Sequence, residues 1–194
     1  MKMLAGVFAA MATIFLISQS FDKKGAKEAE QHAFKLIESH EGFELREYRP
    51  ATFAYMDFEG EKLTQHGGTG YRYLASYAYG DNERTESIDL TAPVYVEVGE
   101  QTRVKLMMPR TQSMASLPIP RHEEINFVRE GYQRVAVIAF TGWVTDERIA
   151  QHKDKLLGRL AEAKISHRDT YAYVSYNPPH EVMNRQNEVM VYLD

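Results

Sequence analysis

Seven histidines are the side chains of this 194-residue sequence best suited to bind a metal or to transfer a proton. They show no H-E-x-x-H pair and no spacing typical of a zinc site. The sequence has no cysteine, which excludes disulfides, thiolate metal sites and thiol nucleophiles. Most of the histidines are therefore expected to be surface residues, and two, His66 and His180, are candidates for binding because of their surroundings.

His66 precedes a glycine-rich helical segment that carries several tyrosines. If that helix reaches back to Leu63, then His66, Tyr73 and Tyr77 fall on one side of it, at spacings of seven and eleven residues. Such a column of rings, beside the gap left by a glycine, would flank a flat ligand. The alternative is a loop histidine, because the three glycines each cost about 1 kcal/mol in a helix interior. This pattern predicts an ordered helix only from about Thr69.

His180 lies in the C-terminal stretch YNPPHEVMNRQNEV, where Pro178 and Pro179 stiffen the approach to the last strand. A stiff loop holds a side chain in a defined position, so His180 is a candidate binding residue. Arg185 follows five residues later. It would either meet an anionic ligand or brace the strand through Glu188.

Composition and charge narrow the classes of partner. With 44% hydrophobic and 26% charged residues, the chain has the composition of a globular protein with one sizeable core. The net charge is −4 and the pI is about 6.0, with lysine and arginine scattered along the chain. Nucleic acid is therefore not an expected partner, because phosphate backbones are bound by basic surfaces.

The N-terminus carries an apolar segment that is directed to a membrane. Residues 1–20 contain Lys2 and then an uncharged run from Met3 to Ile17, which predicts an apolar helix acting as a signal peptide or as an uncleaved membrane anchor. Residues 21–40 follow as a polar linker, and residues 41–194 as the folded domain. We therefore expect an exported protein, periplasmic or membrane-anchored and facing outside the cytoplasm, with membrane contact only through this segment.

The rest of the chain has the alternation of β-strands, interrupted by two helical segments. Strands are predicted at 43–48, 51–58, 88–98, 102–108, 126–129, 135–140, 171–176 and 187–193. The clearer helix begins at Thr145, a good capping residue, and runs to Lys164 with an apolar stripe that includes Ile149, Leu156 and Leu160.

An internal repeat relates the two halves. FAYMDFEG (53–60) aligns with VAVIAFTG (135–142) at an offset of 82, and a helix follows each copy. The pattern predicts an α+β fold, a distorted antiparallel β-barrel built from a duplicated β-α-β-β unit with one helix per repeat. It also predicts that the two repeated strands are central, with Phe58 and Phe140 in equivalent core positions.

Seven segments, in order, resemble the SOUL heme-binding protein family. They are LREYRPATFAYMDFEG, GYRYLASYAYGDN, IDLTAPV, VKLMMP, SLPIP, VAVIAFTG and YNPPHEVMNRQNEVMVYL, and they cover residues 43–193. The resemblance implies a barrel from a duplicated strand–helix unit and the binding of heme or another tetrapyrrole. It implies a groove beside the first helix and the C-terminal loop, with no established catalytic residues and no general axial histidine.

On this resemblance, the candidate heme contacts are His66, Tyr73, Tyr77, His180 and Arg185. A carrier or buffer of heme in the exported compartment is the favoured function. The alternatives are an enzyme acting on a tetrapyrrole or another planar ligand, and a protein-interaction module that binds no tetrapyrrole. A carrier role is favoured over an enzymatic one, and protein partners are left open.

Overall fold

The computed structural model describes residues 29–177 and 185–194. The strands are β1 (Glu30–Gln31), β2 (Phe34–His40), β3 (Phe43–Tyr48), β4 (Ala51–Phe58), β5 (Thr91–Ala92), β6 (Val94–Val98), β7 (Thr102–Met107), β8 (Asn126–Glu130), β9 (Gln133–Thr141), β10 (His167–Ser175) and β11 (Gln186–Leu193). The helices are α1 (Leu63–Ala78) and α2 (Asp146–Ala163). Neither of these described helices is long and apolar enough to cross a bilayer. The apolar segment 3–17 lies outside the described residues.

Nine strands form one antiparallel sheet, curled into a half-barrel, in the order β2-β3-β9-β11-β10-β6-β7-β4-β8. The short strands β1 and β5 pair in parallel, apart from this sheet. The predicted α+β class and the curled antiparallel sheet are confirmed. The expected N-terminal helix falls on residues that the structure does not describe.

Apart from β2, the strand order is symmetric. One unit is β3-β4-α1-β6-β7 and the other is β8-β9-α2-β10-β11, and exchanging them reverses the order of the sheet without changing it. The first strand of each unit pairs with the second strand of the other unit, β3 with β9 and β8 with β4. This arrangement is what a duplicated unit predicts. The prediction that the two repeated strands are central was wrong: β4 and β9 lie towards the ends of the sheet, and β6 and β10 form its centre.

The two repeated phenylalanines have related but unequal surroundings. Phe140 is buried and stacks on His152 of α2, with ring centroids 4.1 Å apart. Phe58 is half-buried and stacks on His66 of α1 at 5.0 Å. Each strand end therefore packs a phenylalanine against a histidine of the helix that follows it, and the second copy is the more enclosed.

The side chains of the sheet divide between two faces because strand neighbours alternate. The helix face carries both helices and the larger cluster of buried residues, which includes Leu74, Val96, Val104, Ile138 and Leu156. We call the opposite face the far face. It carries a second buried cluster, which includes Phe53, Tyr95, Met107, Val174 and Met190.

Helix α1 begins at Leu63, earlier than its glycines predicted. The reason is tertiary: a Cβ at Gly67 would lie 2.9 Å from the Val96 side chain, and a Cβ at Gly70 would lie 2.6 Å from Val104. Glycine at both positions lets the helix backbone approach β6 and β7. Packing of α1 on the sheet therefore outweighs the low helix propensity of these residues.

Two further predictions about local structure were wrong in detail. Residues 30–31 and 34–40, which were predicted to be a linker, form β1 and β2. Most side chains of the edge strand β2 are exposed, so the strand lacks the alternation of apolar and polar residues by which a half-buried strand is predicted. The strand expected at 88–98 is two strands, β5 and β6, divided by Pro93. Proline has no N–H to donate to a sheet, which ends the pairing there.

Candidate functional site

A cavity of about 210 Å³ opens on the helix face of the sheet, between the first half of α1 and the segment that leads into α2. Its lining residues are Thr64, Gly67, Gly68, Tyr71, Val94, Val96, Trp143, Val144, Tyr173, Ser175, Asn177 and Arg185. Asn177 and Arg185 are the described residues that flank segment 178–184. The cavity thus lies between the first helix and the two ends of the C-terminal loop, the region that the sequence indicated.

Glycines shape the α1 wall of this cavity. Gly67 lies close to β6, whereas a Cβ at Gly68 would meet no atom of the described residues within 4 Å. Gly68 therefore leaves open space next to the helix backbone. A flat ligand can approach the helix at this point more closely than any side chain would permit.

Arg185 is the one charged side chain among the described residues that line the cavity. Its Nη2 donates to the Ser175 hydroxyl at 3.2 Å, and its Nε is buried without a hydrogen-bond partner among the described residues. An unsatisfied buried donor on a guanidinium is costly, and an anionic group would satisfy it. The cavity therefore offers one positive site for a carboxylate.

Tyr173 supplies a neutral aromatic wall beside Arg185. Burial raises the pKa of the Tyr173 hydroxyl, which remains protonated at neutral pH and donates to Asn187 Oδ1 at 2.9 Å. Tyr71 and Trp143 add two further rings to the lining. The site combines three aromatic rings, an open glycine and a single cation, which suits a planar ligand with an acidic edge.

The predicted contact residues are not all at this cavity. His66 stacks on Phe58, and its Nδ1 is buried with no hydrogen-bond partner in the part of the chain that the structure describes. Tyr73 packs edge-on against His122, with ring centroids 4.7 Å apart. Tyr77 is fully buried and donates to the carbonyl of Pro118 at 2.9 Å.

Helical spacing explains this separation. The cavity is lined by α1 residues 64, 67, 68 and 71, whereas His66, Tyr73 and Tyr77 belong to a different face of the same helix. Of the five predicted contacts, Arg185 lines the cavity, and His180 lies outside the described residues. That any of the five binds a ligand remains a prediction.

The sequence interpretation missed Trp143 and the open position at Gly68. The internal repeat ended at Gly142, so Trp143 followed it without an assigned role, although it is the sole tryptophan in the chain. By sequence, Gly68 is only one of three glycines that disfavour a helix. A tryptophan directly after a glycine that ends a strand was the available signal for an aromatic side chain on a tight turn.

A second cavity, of about 570 Å³, lies near the other end of the sheet, between β3, β9 and β11. Here Arg46 donates to Glu44 at 2.7 Å and to Glu188 at 2.9 Å, and the Tyr176 hydroxyl donates to the other Glu188 oxygen at 2.9 Å. Burial is the largest single influence and works to lower the pKa of Arg46, but Glu188, Glu44 and the two neighbouring tyrosines together outweigh it and raise that pKa above its usual range.

The charges of this larger cavity are therefore paired with one another. One guanidinium faces two carboxylates, and Glu188 is engaged by Arg46 rather than by Arg185, so the alternative role of Arg185 as a brace through Glu188 is not found. An anionic ligand would meet net negative charge at this cavity. The larger cavity has more volume, but the charges of its lining would repel a ligand that carries carboxylates. The smaller cavity is therefore the better site for such a ligand.

Comparison with known proteins identifies the family. The profile of the SOUL heme-binding protein family matches residues 29–192. The chain belongs to the SOUL heme-binding protein family. It is 30% identical over 156 residues to heme-binding protein 2 of Homo sapiens, covering 76% of each chain. It is 25% identical to heme-binding protein 1 of Xenopus laevis, covering 76% of this chain and 81% of that protein.

The fold also resembles solved structures of distant sequence. A hydrolase from Listeria innocua superimposes with a TM-score of 0.57 over 78% of this chain and 91% of that one, at 8% identity. At an identity this low, the similarity concerns the fold alone and says nothing about function.

Proposed function

We propose that this protein binds heme, or a closely related tetrapyrrole, in the cavity between α1 and the centre of the sheet. The observation that carries the proposal is a cavity lined by three aromatic rings and by Arg185, whose buried Nε has no hydrogen-bond partner among the described residues. A tetrapyrrole with carboxylate substituents has a wide apolar face and an acidic edge. Both halves of that chemistry have a counterpart here.

The size of the cavity indicates how such a ligand would lie. At about 210 Å³ the cavity is smaller than the roughly 300–1,000 Å³ typical of sites that enclose a ligand. We propose that the carboxylate edge enters beside Arg185 and that the rest of the ring lies across the open surface at Gly68. Heme when bound supplies its iron, and the protein supplies orientation, an apolar surface and charge.

Iron ligation is optional in this proposal. His66 has a free Nδ1 but packs against Phe58, and His180 belongs to segment 178–184. Affinity from ring contact and the Arg185 charge does not depend on either imidazole. We therefore expect His66→Ala and His180→Ala, singly and together, to leave hemin affinity almost unchanged.

We further propose that the protein carries or buffers heme in an exported compartment. The support is the apolar segment at residues 3–17, which precedes the folded domain. The mass of the mature chain separates a cleaved signal from an anchor. Turnover of bound ligand would instead make the protein an enzyme, and retrieval of a protein partner with no affinity for porphyrins would make it an interaction module.

Titration of the purified protein with hemin, followed at the Soret band, tests the binding site. We expect Gly68→Leu, which fills the open space beside α1, and Arg185→Ala, which removes the cation, each to weaken binding about tenfold or more. Gly158→Leu is the matched control. Gly158 is also helical and has nothing within 4 Å of a Cβ, but it lies on α2 away from the cavity.

The outcomes separate heme binding from its location. If the unaltered protein gives no Soret shift with hemin, the proposed function is wrong. If hemin binds but Gly68→Leu and Arg185→Ala bind as well as the Gly158→Leu control, the function stands and the cavity assignment is wrong.

A further inference from the structure

Trp143 is a large side chain that the family match and the predicted contacts leave without a role. It lies between β9 and α2, lines the cavity, and is nevertheless 57% exposed. Other exposed aromatic side chains of the described residues, such as Tyr79 and Tyr132, do not line it. Single exposed aromatic residues are common on protein surfaces. The backbone that carries Trp143 distinguishes it from them.

The turn before Trp143 is hydrogen-bonded to Arg185, the residue directly before β11. Gly142 has a φ of 92°, which favours glycine, and its N–H donates to the Arg185 carbonyl at 3.1 Å. The Gly142 carbonyl in turn accepts from Asn187 Nδ2 at 3.1 Å. The backbone of Arg185 is therefore hydrogen-bonded directly to Gly142, the residue before Trp143, which links the segments that carry the guanidinium and the indole.

Arg148, in the first turn of α2, holds the same turn from its other side. Its guanidinium donates to the carbonyl of Trp143 and, at 3.2 Å, to the carbonyl of Thr141. Three successive carbonyls, at residues 141–143, thus each accept a hydrogen bond from a side chain. The backbone that carries this exposed ring is therefore held in place, and binding costs little backbone conformational entropy at Trp143.

We propose that Trp143 is the ring-contact residue of this site: its indole stacks on the face of the planar ligand whose carboxylate edge is held by Arg185. This inference rests on the proposed function and extends it to specificity. Stacking requires a flat π-system and no metal, so the site selects a planar, carboxylated macrocycle whether or not iron is present.

Affinities of Trp143 variants for two ligands test the proposal. The protein is titrated with hemin and with metal-free protoporphyrin IX. Because stacking on an aromatic side chain contributes to the affinity for any flat π-system, we expect Trp143→Ala to weaken the binding of both ligands by about tenfold. Trp143→Phe keeps a ring and should recover most of the loss. Tyr132→Ala, an exposed aromatic residue away from the cavity, should bind like the unaltered protein.

A spectroscopic measurement reports the contact without any substitution. Since Trp143 is the only tryptophan, protein labelled with 5-fluorotryptophan has a single ¹⁹F resonance. Metal-free protoporphyrin IX stacked on the indole would shift that resonance upfield through its ring current. A ligand bound elsewhere would leave it in place.

The results distinguish failure of this inference from failure of the proposed function. If hemin binds, Trp143→Ala binds as tightly as Tyr132→Ala, and the ¹⁹F resonance does not move, then Trp143 is not the contact while heme binding stands. A loss confined to hemin, with metal-free protoporphyrin IX unaffected, also overturns the proposal, because stacking does not depend on iron. Absence of binding by either porphyrin to the unaltered protein removes the proposed function itself, and this inference with it.

Discussion

The two repeated units, β3-β4-α1-β6-β7 and β8-β9-α2-β10-β11, differ most in their helices. Helix α2 carries its own start and stop signals: Thr145 accepts from the Arg148 N–H at 3.3 Å, and Lys164 ends the helix in a left-handed conformation. Helix α1 starts after Lys62 without a side-chain cap. Its second N–H, on Thr64, donates to the Asp146 carboxylate of α2 at 2.9 Å. The first helix is thus capped by the second.

The two helices are therefore stabilised in different ways. In α2 the stabilising signals are local. A Cβ added at its one glycine, Gly158, would meet no atom of the described residues within 4 Å. In α1, Gly67 and Gly70 give up helix propensity for close packing on the sheet, and Gly68 leaves the opening of the proposed site. Both copies line the cavity, but the helix that lines it is α1, the one that depends on tertiary contacts.

The far face shows a second contrast between the halves. Lys105 donates to Glu97 at 2.7 Å and to Glu130 at 2.6 Å, in a cluster on the first half of the sheet. Arg46 pairs with two glutamates in the other half, as described above. The two cations stand on β7 and β3, which are not equivalent strands of the two units. The duplication therefore accounts for the strand order and not for the buried charges.

Removal of Lys105 should give the largest effect. Lys105→Met leaves two half-buried carboxylates unpaired around a cation site that is 1% exposed, and we expect a loss of about 3–5 kcal/mol in the free energy of unfolding at pH 7. Arg46→Met should cost less, because the Arg46 side chain is 9% exposed and that of Lys105 is 2% exposed, so the Arg46 pairs are less completely shielded from water. Urea denaturation of both variants measures the difference. Lys155→Met, an exposed residue of α2, is the control.

The loss in Lys105→Met should also depend on pH. Burial works to raise the pKa of Glu97, but Lys105 and the Tyr192 hydroxyl outweigh it and hold the pKa below the ordinary value of 4.5. The ionised carboxylate therefore stabilises the unaltered protein above about pH 4.5 and loses that contribution as pH falls through its lowered pKa. Without Lys105, burial raises the pKa of Glu97, and protonation relieves the variant. A stability difference that stays constant from pH 7 to pH 4 would contradict the ion-pair explanation.

Replacing one glycine of each helix with alanine should have opposite effects on stability. Gly70→Ala places a Cβ 2.6 Å from Val104, and the resulting overpacking should cost about 1–3 kcal/mol. Gly158→Ala meets nothing and should stabilise the protein by about 0.5–1 kcal/mol through better helix propensity. Thermal unfolding of the two variants side by side measures both. A stabilised Gly70→Ala would mean that α1 does not lie this close to β7.

The smallest difference concerns the helix starts. Thr145→Ala removes the side-chain acceptor at the start of α2 and should cost about 1 kcal/mol. Lys62→Ala removes no capping bond from α1 and should change stability by less than about 0.5 kcal/mol. Chemical denaturation of both proteins is the measurement. Equal losses would show that α1 is capped by its own preceding residue after all.

Sequence patterns predicted most elements, and their failures share one cause. Helix α2 and strands β3 and β4 lie where capping and alternation placed them, because these signals are local and strong. The early start of α1 and the edge strand β2 were missed. The first is decided by packing against β6 and β7, and the second by pairing with β3, so neither is visible in a short window of residues.

The sequence by itself determined the family, the duplicated unit, the type of most elements, and Arg185 as a candidate cation, because side-chain chemistry and hydrophobic period act over a few neighbouring residues. Only the tertiary structure decided that the first strand of each unit pairs with the second strand of the other. The same holds for the meeting of Gly68, Trp143 and Arg185 at one cavity. These residues are far apart along the chain, and their approach depends on which strands pair and how closely α1 packs on them, a choice made by the whole core rather than by any local segment.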